Sequence, residues 1–145
     1  NMSYDSNEAL KLDSQLCFPL YAASRKIIGA YTPLLKPLGI TYTQYIVFMV
    51  LWEQDGITVG DLGSRLRLDS GTLTPVLKKM EAMGYLIRER SQKDERIVNI
   101  HLTDKGRDKK EEARNIPLKM GACISFESKE AEEFKRMLYK ILNQD

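Results

Sequence analysis

The most reactive side chains in this sequence are two thiols and one imidazole: Cys17, Cys123 and His101. They fall short of the four nitrogen or sulfur ligands of a structural zinc site, so neither a metal nor another cofactor is expected. In a reducing compartment a structural disulfide is not expected either. That leaves thiol redox chemistry. Cys17 stands near the start of a predicted helix, two residues ahead of Pro19, a residue tolerated in a first turn. A helix N-terminus favours the thiolate, the form that acts as a nucleophile. Tyr21, Tyr31 and Tyr42 belong to the same N-terminal region, and phenolic hydroxyls donate hydrogen bonds to a thiolate or a bound oxidant. Both residue types also have plainer uses, cysteine as a small buried apolar side chain and tyrosine as a core filler. Residue type alone leaves both uses open. His101 falls within a predicted strand and is expected to be exposed, without chemistry.

A second group of side chains suits a polyanion. Residues 58–102 predict a helix, a tight turn, a second helix and a charged β-hairpin. Thr58 caps the first helix, which runs to Leu66 with Asp61 in its first turn. The turn is Leu68-Asp69-Ser70-Gly71, and the second helix is predicted over 72–83, stopped by Gly84. Pro75 is awkward inside a helix, so the regular turns are expected to begin near Thr72. At about 100° per residue, Leu73, Val76, Leu77, Met80 and Met83 gather into one apolar stripe. The opposite face carries Gly71, Thr74, Pro75 and Lys78, with Lys79 at its edge. Small hydroxyl residues let a helix approach a duplex closely, and lysines neutralise phosphates. Asp69 or Ser70 caps the helix, and the free amides there add a phosphate site.

The hairpin strands are predicted over 85–90 and 97–102. Val98, Ile100 and Leu102 share one face of the return strand, Asn99 and His101 the other. Between the strands lies the polar tip Ser91-Gln92-Lys93-Asp94-Glu95-Arg96. An arginine at such a tip suits a narrow minor groove, and an Asp94–Arg96 pair also braces the tip. The expected DNA contacts are therefore Asp69, Ser70, Gly71, Thr72, Thr74, Pro75, Lys78 and Lys79 on the helix, with Asp94 and Arg96 on the hairpin. A surface helix with solvated lysines is the plain alternative.

Length and charge fit this outline. A chain of 145 residues suits one domain, and its formal net charge of +2 identifies no partner. Residues 64–96, however, hold eight basic side chains against five acidic ones, a net +3 where a duplex would lie. No signal peptide, membrane span or low-complexity tract is apparent, so a cytoplasmic protein without membrane partners is expected. Asn1 ahead of Met2 reads as an addition left by cloning.

Flanking segments must position these groups. A helical pattern covers 16–35 and ends before Pro37-Leu38-Gly39. Thr41-Tyr42-Thr43-Gln44 has capping-box spacing and opens an apolar run over 45–52, with Trp52 as core. Thr103 caps a charged helix through Arg114, followed by Ile116-Pro117. The last helix, Ser128–Leu142, carries Phe134, Met137, Leu138, Ile141 and Leu142 as a stripe. The terminal helices have too little of the domain to pack against, so a two-fold homodimer reading a pseudo-palindromic operator is expected. The fold expected is mainly α with a small β-wing. In one domain spanning 1–145, about 10–37 and 103–143 are expected to form dimerisation helices and about 41–102 a winged helix-turn-helix lobe.

The sequence resembles the MarR family of winged-helix repressors, and within it the organic hydroperoxide resistance repressors. The resemblance rests on Leu16-Cys17-Phe18-Pro19-Leu20-Tyr21-Ala22-Ala23-Ser24-Arg25, on Leu38-Gly39-Ile40-Thr41-Tyr42-Thr43-Gln44-Tyr45, on Leu68-Asp69-Ser70-Gly71-Thr72-Leu73-Thr74-Pro75 and on Asp94-Glu95-Arg96. It implies a repressor, not an enzyme, whose reduced dimer binds double-stranded operator DNA and leaves it when an organic hydroperoxide oxidises Cys17 to a sulfenic acid. It also implies that Tyr31 and Tyr42 reach Cys17 from the partner subunit, with Tyr21 close by. The position of Cys123 then implies a two-cysteine switch closed by an intersubunit disulfide. A repressor answering to a small aromatic ligand is the rival reading, discriminated by whether Cys17→Ser stays inducible. A thiol peroxidase is a weaker one, since no Cys-x-x-Cys motif is present.

Overall fold

A computed structural model describes residues 3–144; Asn1 lies outside that range. The chain forms two units, residues up to Arg114 and residues from Asn115 onward. In the first, a four-residue helix α1 (Ser6–Ala9), absent from the sequence reading, is capped by Asp5, whose carboxylate accepts from the Asn7 amide at 3.0 Å. Next come α2 (Cys17–Leu35), α3 (Tyr42–Glu53), α4 (Val59–Leu66) and α5 (Ser70–Ala82). The antiparallel hairpin β1 (Leu86–Arg90) and β2 (Val98–Leu102) and then α6 (Asp104–Ala113) complete the unit.

The caps appear where the local sequence demands them. Thr41 and Gln44 close a reciprocal capping box on α3, at 3.2 and 3.0 Å. Thr58 and Thr103 accept from the Asp61 and Gly106 amides and start α4 and α6. Gly84 ends the α5 segment at φ 83°, a conformation that costs glycine nothing. Helix α3 is the core element, with Val47, Phe48, Val50 and Leu51 all buried, while Met49 on its remaining face is 46% exposed. Phe48 stacks on Trp52 at 5.1 Å and meets the Tyr85 ring edge-on at 5.2 Å. The Trp52 indole donates to the Gly106 carbonyl at 3.0 Å. Gly106 is the point of closest approach, for a Cβ there would collide with the Tyr85 carbonyl.

The wing is welded to the helices at its base. Residues before α4 run alongside β2: the Gly56 amide donates to the Ile100 carbonyl at 3.0 Å and the Ile100 amide to the Ile57 carbonyl at 2.8 Å. A bridge joins Thr58 to Asn99, and the Asp55 carboxylate accepts from the Leu102 amide at 2.9 Å. The two-stranded hairpin is thus tied along residues 56–58. On its inner face Leu86, Ile100 and Leu102 are buried, while Ile87 and His101 face out, as the period-two alternation predicts.

The second unit holds α7 (Ile116–Cys123) and α8 (Ser128–Leu142). The sequence reading stopped at Ile116-Pro117 and missed α7, because Pro117 occupies the second helical position, where its missing amide costs nothing. Helix α8 buries none of its residues: Met137 is 46%, Ile141 52% and Leu142 49% exposed. Among the described residues, no single helix is long and apolar enough to cross a membrane.

Candidate DNA interface and thiol site

Asp69 caps α5 by accepting from the Thr72 amide at 2.7 Å, so α5 begins at Ser70 and not near Thr72 as Pro75 suggested. At the sixth helical position, Pro75 removes only the bond to the Gly71 carbonyl. Of the expected apolar stripe Leu73, Leu77 and Met80 are buried and Val76 and Met83 half-buried; on the opposite face Gly71, Thr72, Pro75, Lys78 and Lys79 are exposed and Thr74 half-buried.

Between α4, the start of α5 and the hairpin runs an open groove of about 1100 Å³. Of the expected contacts, Asp69, Ser70, Thr74, Lys78 and Arg96 line it. Ser64, Arg67, Arg88 and Arg90 line it too; the sequence reading counted the three arginines in its basic stretch but did not name any of the four as contacts. Arg67, Lys78, Arg88, Arg90 and Arg96 outnumber its acids, Asp61 and Asp69, so the walls are electropositive.

Two carboxylates aim arginines within this region. Asp94 grips Arg96 in a two-pronged pair at 3.0 and 3.1 Å and also accepts its backbone amide at 3.1 Å. That guanidinium holds the Asp94 carboxyl below its usual range, and the carboxylate raises Arg96 in turn. The Ser91 hydroxyl accepts from the Lys93 and Asp94 amides, and Arg90 donates to the Glu95 carbonyl. Glu81 on α5 accepts from the Arg88 amide at 2.7 Å and from its guanidinium at 3.1 and 3.3 Å. Those bonds, the backbone one foremost, lower the Glu81 carboxyl.

Cys17 is the first residue of α2 and is exposed; Tyr21, one turn later, is 60% exposed with the Arg25 guanidinium 5.6 Å from its ring centre. Tyr31 and Tyr42 sit elsewhere. Their rings lie 4.8 Å apart, and Tyr45, which the sequence reading treated as part of an apolar run, packs 5.7 Å from Tyr31. Burial pushes all three phenols up; their mutual repulsion when ionised adds to Tyr42 and Tyr45. They are thus neutral hydroxyls at physiological pH. A cavity of about 370 Å³ opens beside them, walled by Ile28, Tyr31, Leu35, Ile40 and Tyr42. Fourteen residues of continuous helix separate Cys17 from Tyr31, about 21 Å along the axis. One protomer therefore does not bring the thiol to this tyrosine cluster. Cys123, the last residue of α7, is exposed.

Residues 30–113 match the family model for the transcriptional regulators SarA/Rot. Over 136 residues the chain is 46% identical to the organic hydroperoxide resistance transcriptional regulator of Bacillus subtilis, covering 92% of this chain and 90% of that one. The chain belongs to the MarR/SarA family of winged-helix transcriptional regulators. It is a DNA-binding transcriptional regulator, and its relatives are named as regulators. Among solved structures, AbfR of Staphylococcus epidermidis resembles this regulator in three states. Reduced AbfR bound to DNA superposes with a TM-score of 0.79 at 38% identity, covering 94% of each chain. Overoxidised AbfR bound to DNA gives 0.76 at 38%, covering 95% of this regulator and 99% of that chain. The disulfide form gives 0.66 at 37%, covering 95% and 97%.

Proposed function

We propose that this regulator is an organic hydroperoxide-sensing repressor. Its reduced homodimer inserts two α5 helices into successive major grooves of a pseudo-palindromic operator and lays each wing in a flanking minor groove. The Cys17 thiolate attacks the terminal oxygen of the hydroperoxide; the O–O bond breaks, an alcohol leaves, and Cys17 becomes a sulfenic acid. The Cys123 thiolate of the partner subunit then attacks that sulfur and water departs, leaving an intersubunit disulfide and a dimer that no longer fits the operator.

The observation that carries this reading is the division of the sensor. Cys17 is exposed at one end of α2, and Tyr31 stands about 21 Å along the same helix, its ring 4.8 Å from that of Tyr42 on α3. In this reading the Tyr31 and Tyr42 hydroxyls reach a peroxide at Cys17 from a second copy. The apolar stripe that α8 leaves exposed supports such a pairing. Overoxidised AbfR bound to DNA, beside a separate disulfide form, supports the disulfide as the releasing state.

The test is non-reducing electrophoresis with parallel DNA binding, after one equivalent of cumene hydroperoxide, on wild type, Cys17→Ser and Cys123→Ser. A covalent dimer that needs both thiols, together with loss of DNA binding in wild type alone, is expected. Release of Cys17→Ser from DNA by the peroxide overturns the reading. The tyrosine-walled cavity of about 370 Å³ favours one alternative, a small aromatic effector, since that volume is within the range of small-molecule pockets. Under it, Cys17→Ser remains inducible.

A further inference from the structure

Tyr45 is a phenol where a phenylalanine would pack. It stands on α3 with its ring in the core and only 3% of its surface exposed. Among the described residues no hydrogen bond holds its hydroxyl. Yet no fully buried polar side-chain atom among them lacks a partner, so the little of Tyr45 that meets solvent includes that oxygen. The ring is core and the oxygen is not. Tyr31 and Tyr42 flank it, with ring centres 5.7 and 6.3 Å away. Negative charge on either neighbour opposes ionisation of Tyr45, and such repulsion fades with distance, so the three oxygens share one neighbourhood. Burial keeps all three protonated, and therefore donors. A tyrosine with a buried ring usually finds a partner for its hydroxyl, and the chain offers this one only the edge of the phenol cluster.

We propose that the Tyr45 hydroxyl is a third hydrogen-bond donor of the peroxide site, beside Tyr31 and Tyr42. The inference rests on the proposed function, in which this cluster meets a hydroperoxide held at Cys17 of the partner subunit, and it adds a residue to that site. The chemistry has a use for a third donor. As the thiolate attacks the terminal oxygen, that oxygen keeps its proton and becomes the sulfenic hydroxyl, while the O–O electron pair goes to the alkoxy oxygen. An alkoxide has three lone pairs, and donors fixed in advance stabilise its charge as it develops. A phenol of the cluster gives up its proton and the alcohol leaves. Water then returns a proton to the phenolate through the solvent contact at Tyr45.

The experiment uses the full chain carrying Cys123→Ser, so that Cys17 is its single thiol, with Tyr45→Phe, Tyr31→Phe and Tyr42→Phe each added to it. Oxidation by cumene hydroperoxide is followed by trapping the sulfenic acid with dimedone and weighing the intact chain. Alkylation by iodoacetamide, which needs the thiolate but no peroxide, is timed in parallel, and Tm is measured for each. Tyr45→Phe is expected to slow oxidation about 10-fold, the low end for a hydrogen bond to a charged group. Its alkylation rate and Tm are expected to match the parent. Oxidation of Tyr45→Phe at the parent rate, with Tyr31→Phe or Tyr42→Phe slowed, overturns this proposal alone. Equal slowing of oxidation and alkylation places the effect on the thiol itself and overturns it too. So does a fall in Tm of several degrees, which makes the hydroxyl a structural group. If all three variants oxidise as the parent does, the cluster is not the peroxide site, and its part in the proposed function falls with this one.

Discussion

Removing the Glu81 carboxylate should loosen the wing by an amount that its three bonds determine. The carboxylate accepts the Arg88 amide at 2.7 Å on the open edge of β1, and the guanidinium at 3.1 and 3.3 Å. Charge-assisted hydrogen bonds contribute about 1.5–3 kcal/mol when fully buried. Here the Glu81 and Arg88 side chains are 35% and 25% exposed, so solvent screens the pair. The pair and the backbone bond are each then worth about 1 kcal/mol. Glu81→Ala removes both, about 2 kcal/mol, which for a chain of this size lowers Tm by about 6 °C. Arg88→Ala removes only the pair, since the backbone amide keeps its acceptor, and should cost about half as much. The Glu81 carboxyl is held below its ordinary value of about 4.5, so its contribution is complete above that pH and is lost as pH falls through the lowered folded value. The Tm gap between wild type and Glu81→Ala should therefore be widest near neutrality and close in acid. Calorimetry of both variants from pH 7 to pH 3 measures this. If Glu81→Ala proves no more destabilising than Arg88→Ala, or its deficit persists unchanged in acid, the strut is not what braces β1.

Gly106→Ala drives a methyl into the Tyr85 carbonyl and disturbs the Trp52 bond, and should cost about 3 kcal/mol, read as a drop in Tm on thermal denaturation. Asp94→Asn removes a negative charge from the wing yet should weaken DNA binding several-fold in an anisotropy assay, because the Arg96 guanidinium loses its two-pronged hold. Tighter binding would show that Asp94 only repels phosphate. If α8 forms the seam of the proposed homodimer, Ile141→Lys, which puts a charge into its exposed stripe, should reduce the mass seen by light scattering from twice 16.6 kDa to a single chain. An unchanged dimer would place the seam elsewhere.

Local signals were readable in the sequence, and long-range ones were not. Thr41, Thr58 and Thr103 announce their helices because a cap needs only the next three residues. The stripe of α8 likewise fixed its bounds at Ser128–Leu142. The start of α5 was placed two residues late because Pro75 was given more weight than the Asp69 cap, which sets the first helical residue at Ser70. In the groove, Lys78 and Arg96 were legible from a helix face and a hairpin tip. Arg88 and Arg90 were legible only as charge in a basic stretch, since it is the packing of β1 beside α5 that brings them to the groove. Arg67 was counted in that stretch too, but its left-handed turn has no sequence signal when glycine is absent. Tyr45 was hidden in an apolar run, although it lies three residues after Tyr42 on the same helical face.

The attachments at the base of the hairpin limit what any inducer can alter. With β2 bonded along residues 56–58 and β1 pinned to α5 by Glu81, each reading head travels as a block. Bending the wing away from its helix would break several of these bonds together. A switch in the proposed dimer therefore has little to gain by deforming the head, and is expected to act on the separation and tilt between two intact heads.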